Sequence, residues 1–258
     1  MDESKDYYDE IAHKYDYMYE EPYWVLYHEI LKKLTVDHIS EKKYRILDMG
    51  TGTGRWAIYF AEKNHDVTAI DNSCQMLKIA KMKTDLRNLK INFLEMSAEN
   101  LYFNDNYFDY IVAYGDVLSY CNNIDLALNE IKRVLKKNGK LLITVDNSYA
   151  FLKDFISNVE GYNAKKLLEG EKIKIGDKSV SMKNFFTKPF FPEEISCVLQ
   201  AKGFIVEDIA SIVNLGLYDE DRLSRGIDLA ADWEYKYCRN RELFSSGEHL
   251  FISAVLGE

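Results

Sequence analysis

The chain has 258 residues, 47% hydrophobic and 29% charged, with a formal net charge of −9 at pH 7. That is the length and balance of one globular α/β domain carrying an insertion, and the acidic total argues against a broad phosphate-binding footprint and so against nucleic acid as a partner. No run reaches the roughly 20 apolar residues of a membrane span, and the opening Met1-Asp-Glu-Ser-Lys-Asp6 is too charged for a signal peptide.

Four cysteines, Cys74, Cys121, Cys197 and Cys238, form no Cys-x-x-Cys pair. This predicts reduced thiols in a soluble cytoplasmic protein, with no zinc knuckle, no disulfide framework and no metal. Tyrosine is abundant, with 19 residues, many of them near the N-terminus.

Residues 1–40 are read as an N-terminal helical lid. Its first part, Asp6 to Tyr19, is rich in tyrosine and lacks a clean core face. Its second part is helical, with Tyr23, Leu26, Tyr27, Ile30, Leu31 and Leu34 on one face and Pro22 just inside the start, where a missing N–H costs nothing.

From Lys43 the period changes. Strands are predicted at 44–48, 66–71, 91–95, 108–114 and 140–146, and helices at 55–63, 73–83 with Ser73 as N-cap, and 124–136 with a stop at Asn138-Gly139. Residues 147–190 break the rhythm and read as an insertion that caps the site, with a helix at 149–159 and a hairpin over 172–184 turning at Gly176-Asp-Lys. A helix near 193–202, a strand at 204–211, a polar helical stretch at 219–243 and a last strand at 249–255 complete the chain. The fold expected is a single α/β domain over 1–258: a Rossmann-like, mostly parallel, seven-stranded sheet with helices on both faces.

Chemistry gathers at the strand ends. Ile46-Leu-Asp-Met-Gly-Thr-Gly-Thr-Gly54 runs from a strand through three alternating glycines into a helix, which lets a ligand approach the main chain. Asp71 closes the next strand, where an acid can accept hydrogen bonds from both hydroxyls of a ribose. Ser97-Ala-Glu99 follows strand three, and Ala113 to Tyr120 leaves strand four. A dinucleotide oxidoreductase would space its glycines Gly-x-Gly-x-x-Gly, and here the third comes one residue earlier.

These residues, together with Tyr7-Tyr-Asp-Glu-Ile-Ala-His-Lys-Tyr15-Asp, resemble a class I S-adenosylmethionine-dependent methyltransferase of the small-molecule kind, similar to the ubiquinone/menaquinone-biosynthesis methyltransferases. The resemblance covers most of 6–146 and implies S-adenosylmethionine as cofactor. By it, Gly50 and Gly52, with Asp48 and Thr51 beside them, face the methionine part, and Asp71 and Asn72 the ribose. Ser97, Ala98 and Glu99 take the adenine side and Tyr114 the methionyl end, while Tyr15 reaches the carboxylate from the lid. Many relatives carry an acid where Ser97 stands, so a hydroxyl or Glu99 must substitute. Asp48 has a second reading, as a brace for the loop's own N–H groups.

Tyr120, Asp116 and Asp146 are candidates for a general base, and none is assigned; the catalytic residues stay unknown. His13, His28, His38 and His65 read as solvated and His249 as structural. Phe151, Phe185, Phe186 and Phe190 either make an aromatic pocket for a small acceptor or glue the insertion to the sheet. The expected function is methyl transfer to a small molecule, with oligomeric state open. A protein or RNA methyltransferase and a non-catalytic nucleoside-binding module are the alternatives.

Overall fold

In the computed structural model, which describes residues 3–176, 179–216 and 218–257, the chain opens with two helices, α1 (Glu3–Met18) and α2 (Pro22–His38). Contrary to the sequence reading, α1 has a core face: Tyr7, Ile11 and Ala12 are buried. The face was obscured because it is narrow and partly built from polar-tipped rings. Pro22 takes the first helical turn of α2, and the apolar stripe read there is buried except for Tyr23.

The alternating part follows: β1 (Arg45–Met49), α3 (Arg55–Glu62), β2 (Asp66–Asp71), α4 (Cys74–Asp85), β3 (Asn92–Glu95), β4 (Phe108–Ala113), α5 (Val117–Tyr120), α6 (Ile124–Val134) and β5 (Leu135–Asp146). Ser73 caps α4 by accepting from the Met76 N–H. α6 stops at Val134, before the predicted Asn138-Gly139, because Leu135 already pairs with Phe108 in the sheet. Between Leu135 and Lys140 the register of β5 shifts in a bulge, with Asn138 at φ +58°; a Cβ on Gly139 would stand 2.8 Å from Leu135 Cγ.

Between β5 and the next helix lie α7 (Ser148–Ser157), α8 (Gly161–Leu168), β6 (Ile173–Ile175) and β7 (Phe185–Thr187). β6 and β7 pair antiparallel, so the second arm falls just beyond the predicted 172–184. The turn read at Gly176-Asp-Lys falls partly on 177 and 178, which lie outside the described residues. Then come α9 (Pro192–Ala201), β8 (Phe204–Ile212), α10 (Glu220–Leu223), α11 (Ile227–Tyr237), a 3-10 turn (Arg241–Leu243) and β9 (His249–Leu256). The single helical stretch predicted at 219–243 is therefore three pieces, broken at Gly226 and Asn240.

The seven long strands form one sheet in the order β3-β2-β1-β4-β5-β9-β8, with β9 antiparallel between β5 and β8. One face is covered by α2, α3 and α11 through Leu31, Trp56 and Ala231, and the other by α6 and α9 through Ile131 and Ile195. Neighbours β1 and β4 are the strands where the connection order reverses, so the crevice beyond their carboxyl ends is where an open α/β sheet takes its ligand. Among the described residues no helix is long and apolar enough to cross a membrane.

Candidate active site

The glycine loop is tied to β2 before it reaches α3. Gly50 and Thr51 donate their N–H groups to the Ile70 carbonyl at 2.8 and 2.9 Å. The Gly52 N–H donates to Asp71 Oδ2 at 2.7 Å and the Ser73 N–H to Oδ1 at 2.8 Å. Asp71 thus accepts the backbone N–H groups of Gly52 and Ser73, one on each oxygen, and a third from Asn72. Burial pushes its carboxyl up to about 6, against the pull of those N–H groups.

All three glycines have positive φ, but for different neighbours. A Cβ on Gly50 would meet Val117 Cγ2 at 2.3 Å, and one on Gly54 would meet Ala80 Cβ at 3.0 Å. A Cβ on Gly52 would meet only Tyr15 Cε1, at 3.8 Å. Gly50 and Gly54 are therefore demanded by packing, and Gly52 is the one whose bare main chain faces open space.

The pocket at the switch point is lined by Tyr15, Gly50, Gly52, Asp71, Asn72, Ser97, Ala98, Glu99 and Tyr114 of the residues named from sequence. Asp48 and Thr51 do not line it. The Thr51 hydroxyl donates to Asp48 Oδ2 at 2.5 Å, and Asp48 also accepts from the Ala57 N–H. Burial outweighs these bonds and pushes Asp48 up to about 7. Tyr114 turns its hydroxyl away, onto Thr35 Oγ1 of α2 at 2.8 Å. The Ser97 hydroxyl accepts from the Glu99 N–H, and Glu99 accepts from the Asn123 N–H.

Tyr8, Met76, Met96 and Val117 also line the pocket and were not foreseen. The spacing of Tyr8 and Tyr15, two helical turns apart, was the available signal. α1 is pinned over the loop by its acids. Asp16 accepts from the Thr53 hydroxyl at 2.6 Å and from Lys83 at 2.8 Å, and Asp9 accepts from the Ser73 hydroxyl at 2.6 Å.

Beside this pocket lies a cluster that crosses the sheet. β9 pairs with β5 so that His249 stands opposite Asp146. His249 Nδ1 lies 2.9 Å from Asp116 Oδ2 and 3.9 Å from Asp146 Oδ1, and all three side chains are buried. Burial alone would lower the imidazole; the Asp116 and Asp146 carboxylates outweigh it and hold His249 at about 9. Burial and the Asp116 charge push Asp146 up to about 7, while the Thr187 hydroxyl donates to its Oδ2. The donor atoms of the three residues lie within 4.8 Å of one another, a grouping that could hold a metal ion.

The histidines depart from their sequence reading. His13 is exposed as expected, but His28 and His65 are buried, and His38 Nε2 lies 2.9 Å from Asp208 Oδ2. Burial pushes His28 down to about 3, so its ring is neutral. Of the four phenylalanines, Phe185 stands beside the site, with its ring 5.0 Å from Tyr120 and 4.9 Å from Tyr7. Phe190 is in the sheet core, Phe151 packs on Phe155, and Phe186 is substantially exposed.

The model of the methyltransferase domain family matches residues 47–143, which span β1 to the middle of β5. An uncharacterised protein of Methanocaldococcus jannaschii is 31% identical over 217 residues, covering 78% of this chain and 76% of that protein. The chain belongs to the class I S-adenosylmethionine-dependent methyltransferases. The ubiquinone/menaquinone biosynthesis C-methyltransferase of Edwardsiella ictaluri is 36% identical over 142 residues, covering 52% of this methyltransferase and 55% of that protein. The methyltransferase thus spans about half the length of that relative. Among solved structures, a putative S-adenosylmethionine dependent methyltransferase of Listeria monocytogenes shares the fold with a TM-score of 0.65 at 16% identity, over 90% of this chain and 98% of that one. One from Methanosarcina mazei does so with a TM-score of 0.64 at 20% identity, over 87% and 98%. The family implies S-adenosylmethionine, and the pocket fits it: an open glycine main chain adjoins the buried carboxylate that closes β2.

Proposed function

We propose that the protein transfers the methyl group of S-adenosylmethionine to a small-molecule acceptor, as one domain over 1–258 with 1–40 as lid and 147–190 as cap. The observation that carries this reading is Asp71, held on both oxygens beside the bare main chain of Gly52 at the switch point of the sheet. Asp71 and Asn72 take the ribose; Ser97, Ala98 and Glu99 take the adenine; Gly50, Gly52, Tyr15 and Tyr114 surround the methionine end. Asp48 and Thr51 serve that end from beneath, by fixing the loop. Four free cysteines fit a reducing cytoplasm.

When bound, S-adenosylmethionine would supply a methyl already activated on a sulfonium: an acceptor lone pair would form the new bond to that carbon in line as the C–S bond breaks and its pair stays on the sulfur. The chain's part is to align the acceptor and exclude water, and proximity supplies most of the acceleration. Tyr8, Tyr15 and Tyr120 close over the pocket with Phe185 behind them. A wall of rings that close favours a small acceptor over a folded macromolecule.

Calorimetric titration tests the cofactor half. S-adenosylmethionine is expected to bind at least tenfold more tightly than NAD, and the reverse order would overturn the reading. Incubation with a labelled methyl donor and a pool of small metabolites tests the acceptor half. Label is expected in a small product; label found only in protein or RNA would overturn it.

A further inference from the structure

Asp116 is the hub of the acceptor side. Its neighbours Gly115 and Val117 line the cofactor pocket, while its own side chain is only 4% exposed. Its charge bears on the phenols of Tyr8, Tyr19, Tyr23, Tyr27 and Tyr120, which come from α1, the turn after it, α2 and α5. The rings of Tyr19, Trp24, Tyr27 and His249 follow one another at centroid distances of 4.6, 5.5 and 5.0 Å.

Within this aromatic wall some polar atoms have no partner. Asp116 Oδ1 is buried without a hydrogen bond, as are both ring nitrogens of His28. The charge is also unbalanced. Asp116 and Asp146 face one imidazole, and His249 is the only cation in an ion pair with either acid among the described residues. A buried carboxylate oxygen left without a hydrogen bond is costly, and such costs are retained where a ligand relieves them.

We infer that the acceptor carries a cationic nitrogen, which donates an N–H to Asp116 Oδ1 and lies against the faces of Tyr19, Trp24 and Tyr27. Aromatic faces and a carboxylate together are the surroundings that suit an organic cation. The inference rests on the methyl-transfer reading, because it concerns the acceptor half of the same site. A divalent metal suits the cluster less well. Asp146 Oδ2 is engaged by the Thr187 hydroxyl, and His249 Nδ1 lies 2.9 Å from Asp116 Oδ2. Asp116 Oδ1 is open to an N–H donor, while three buried side chains offer fewer ligand atoms than the roughly six or more that a hard divalent ion takes.

The test uses the full chain with S-adenosylhomocysteine present. Binding of 2-phenylethylamine, benzylamine, 2-phenylethanol and 3-phenylpropionate is compared by calorimetry, with Mn2+ as a separate arm. The two cations are expected to bind at least tenfold more tightly than the neutral and anionic compounds. Asp116→Asn is expected to reduce that preference to threefold or less. Asp146→Asn serves as a second variant if the first does not fold, and the wild-type preference stands as a test by itself. Equal or tighter binding of the alcohol or the acid, binding of Mn2+ alone, or no binding by any probe would overturn the inference. Titration with S-adenosylhomocysteine alone reports separately on the methyl-transfer reading, since its failure would leave the cofactor site empty whatever the amines do.

Discussion

Gly50, Gly52 and Gly54 share a left-handed backbone, but packing demands only Gly50 and Gly54, and substitution separates the two cases. Gly50→Ala places a methyl 2.3 Å from Val117, on a backbone that alanine resists. It is expected to lower stability by about 1–3 kcal/mol, and Val117→Ala in the same chain should recover part of the loss. Gly52→Ala meets only Tyr15 Cε1, at 3.8 Å, and carries the left-handed backbone strain without the clash; it is expected to cost less stability than Gly50→Ala and to weaken S-adenosylmethionine binding tenfold or more. Asp71→Asn removes the charged acceptor and is expected to cost about 1.5–3 kcal/mol of binding, read by the same calorimetry. His249 adds a pH signature. Its folded value of about 9 lies above the ordinary 6.5, so its stabilisation is complete below pH 6.5 and is lost as pH rises through 9. The thermal midpoint of the wild type should fall toward that of His249→Gln as pH is raised from 6.5 to 10; a constant gap would refute the assignment. Asp71 was legible from sequence because a strand end beside a glycine loop is a local pattern. His249 was not, because only the register of β9 on β5 places it opposite Asp146.

Elements were legible where one period ran unbroken. The β1–α3–β2–α4 run was read nearly to its bounds, since each strand is buried and each helix has a single apolar stripe. α1 was obscure because Tyr7, Ile11 and Ala12 make a thin stripe among tyrosines that also serve the pocket. The end of α6 was misplaced because sheet pairing at Leu135 overrides local helix preference. The acid pins of α1 carry a prediction at this scale. Lys83→Ala combined with Asp9→Ala removes the Asp16 and Ser73 attachments to α4. The double variant is expected to speed proteolysis within 3–18 and to weaken cofactor binding about 3–10-fold, while leaving the sheet's thermal midpoint within a few degrees.

Over the whole molecule, alternation of strand and helix made the parallel half of the sheet and its switch point readable from sequence. The other half was harder, because the order β5-β9-β8 joins strands from distant parts of the chain. That half is secured by a charge network in which His38 of α2 and Arg239, just after α11, both engage Asp208 of β8, and Arg239 also reaches Asp37 at 2.6 Å. Burial would raise Asp208, but His38 and Arg239 outweigh it and hold the carboxyl at about 2. The stabilisation it gives is present above the ordinary carboxylate value and is lost as pH falls through 2. Acid unfolding followed between pH 4 and 2 should therefore be less steep in Asp208→Asn than in the wild type. The position of β9 also orders events during synthesis. Until residues 249–256 leave the ribosome, β5 shows an open apolar edge and β8 has no neighbour, so the nascent chain can complete only the cofactor half of the sheet. His249 comes with that strand, so its pairing with Asp116 and Asp146 forms only once β9 is in place.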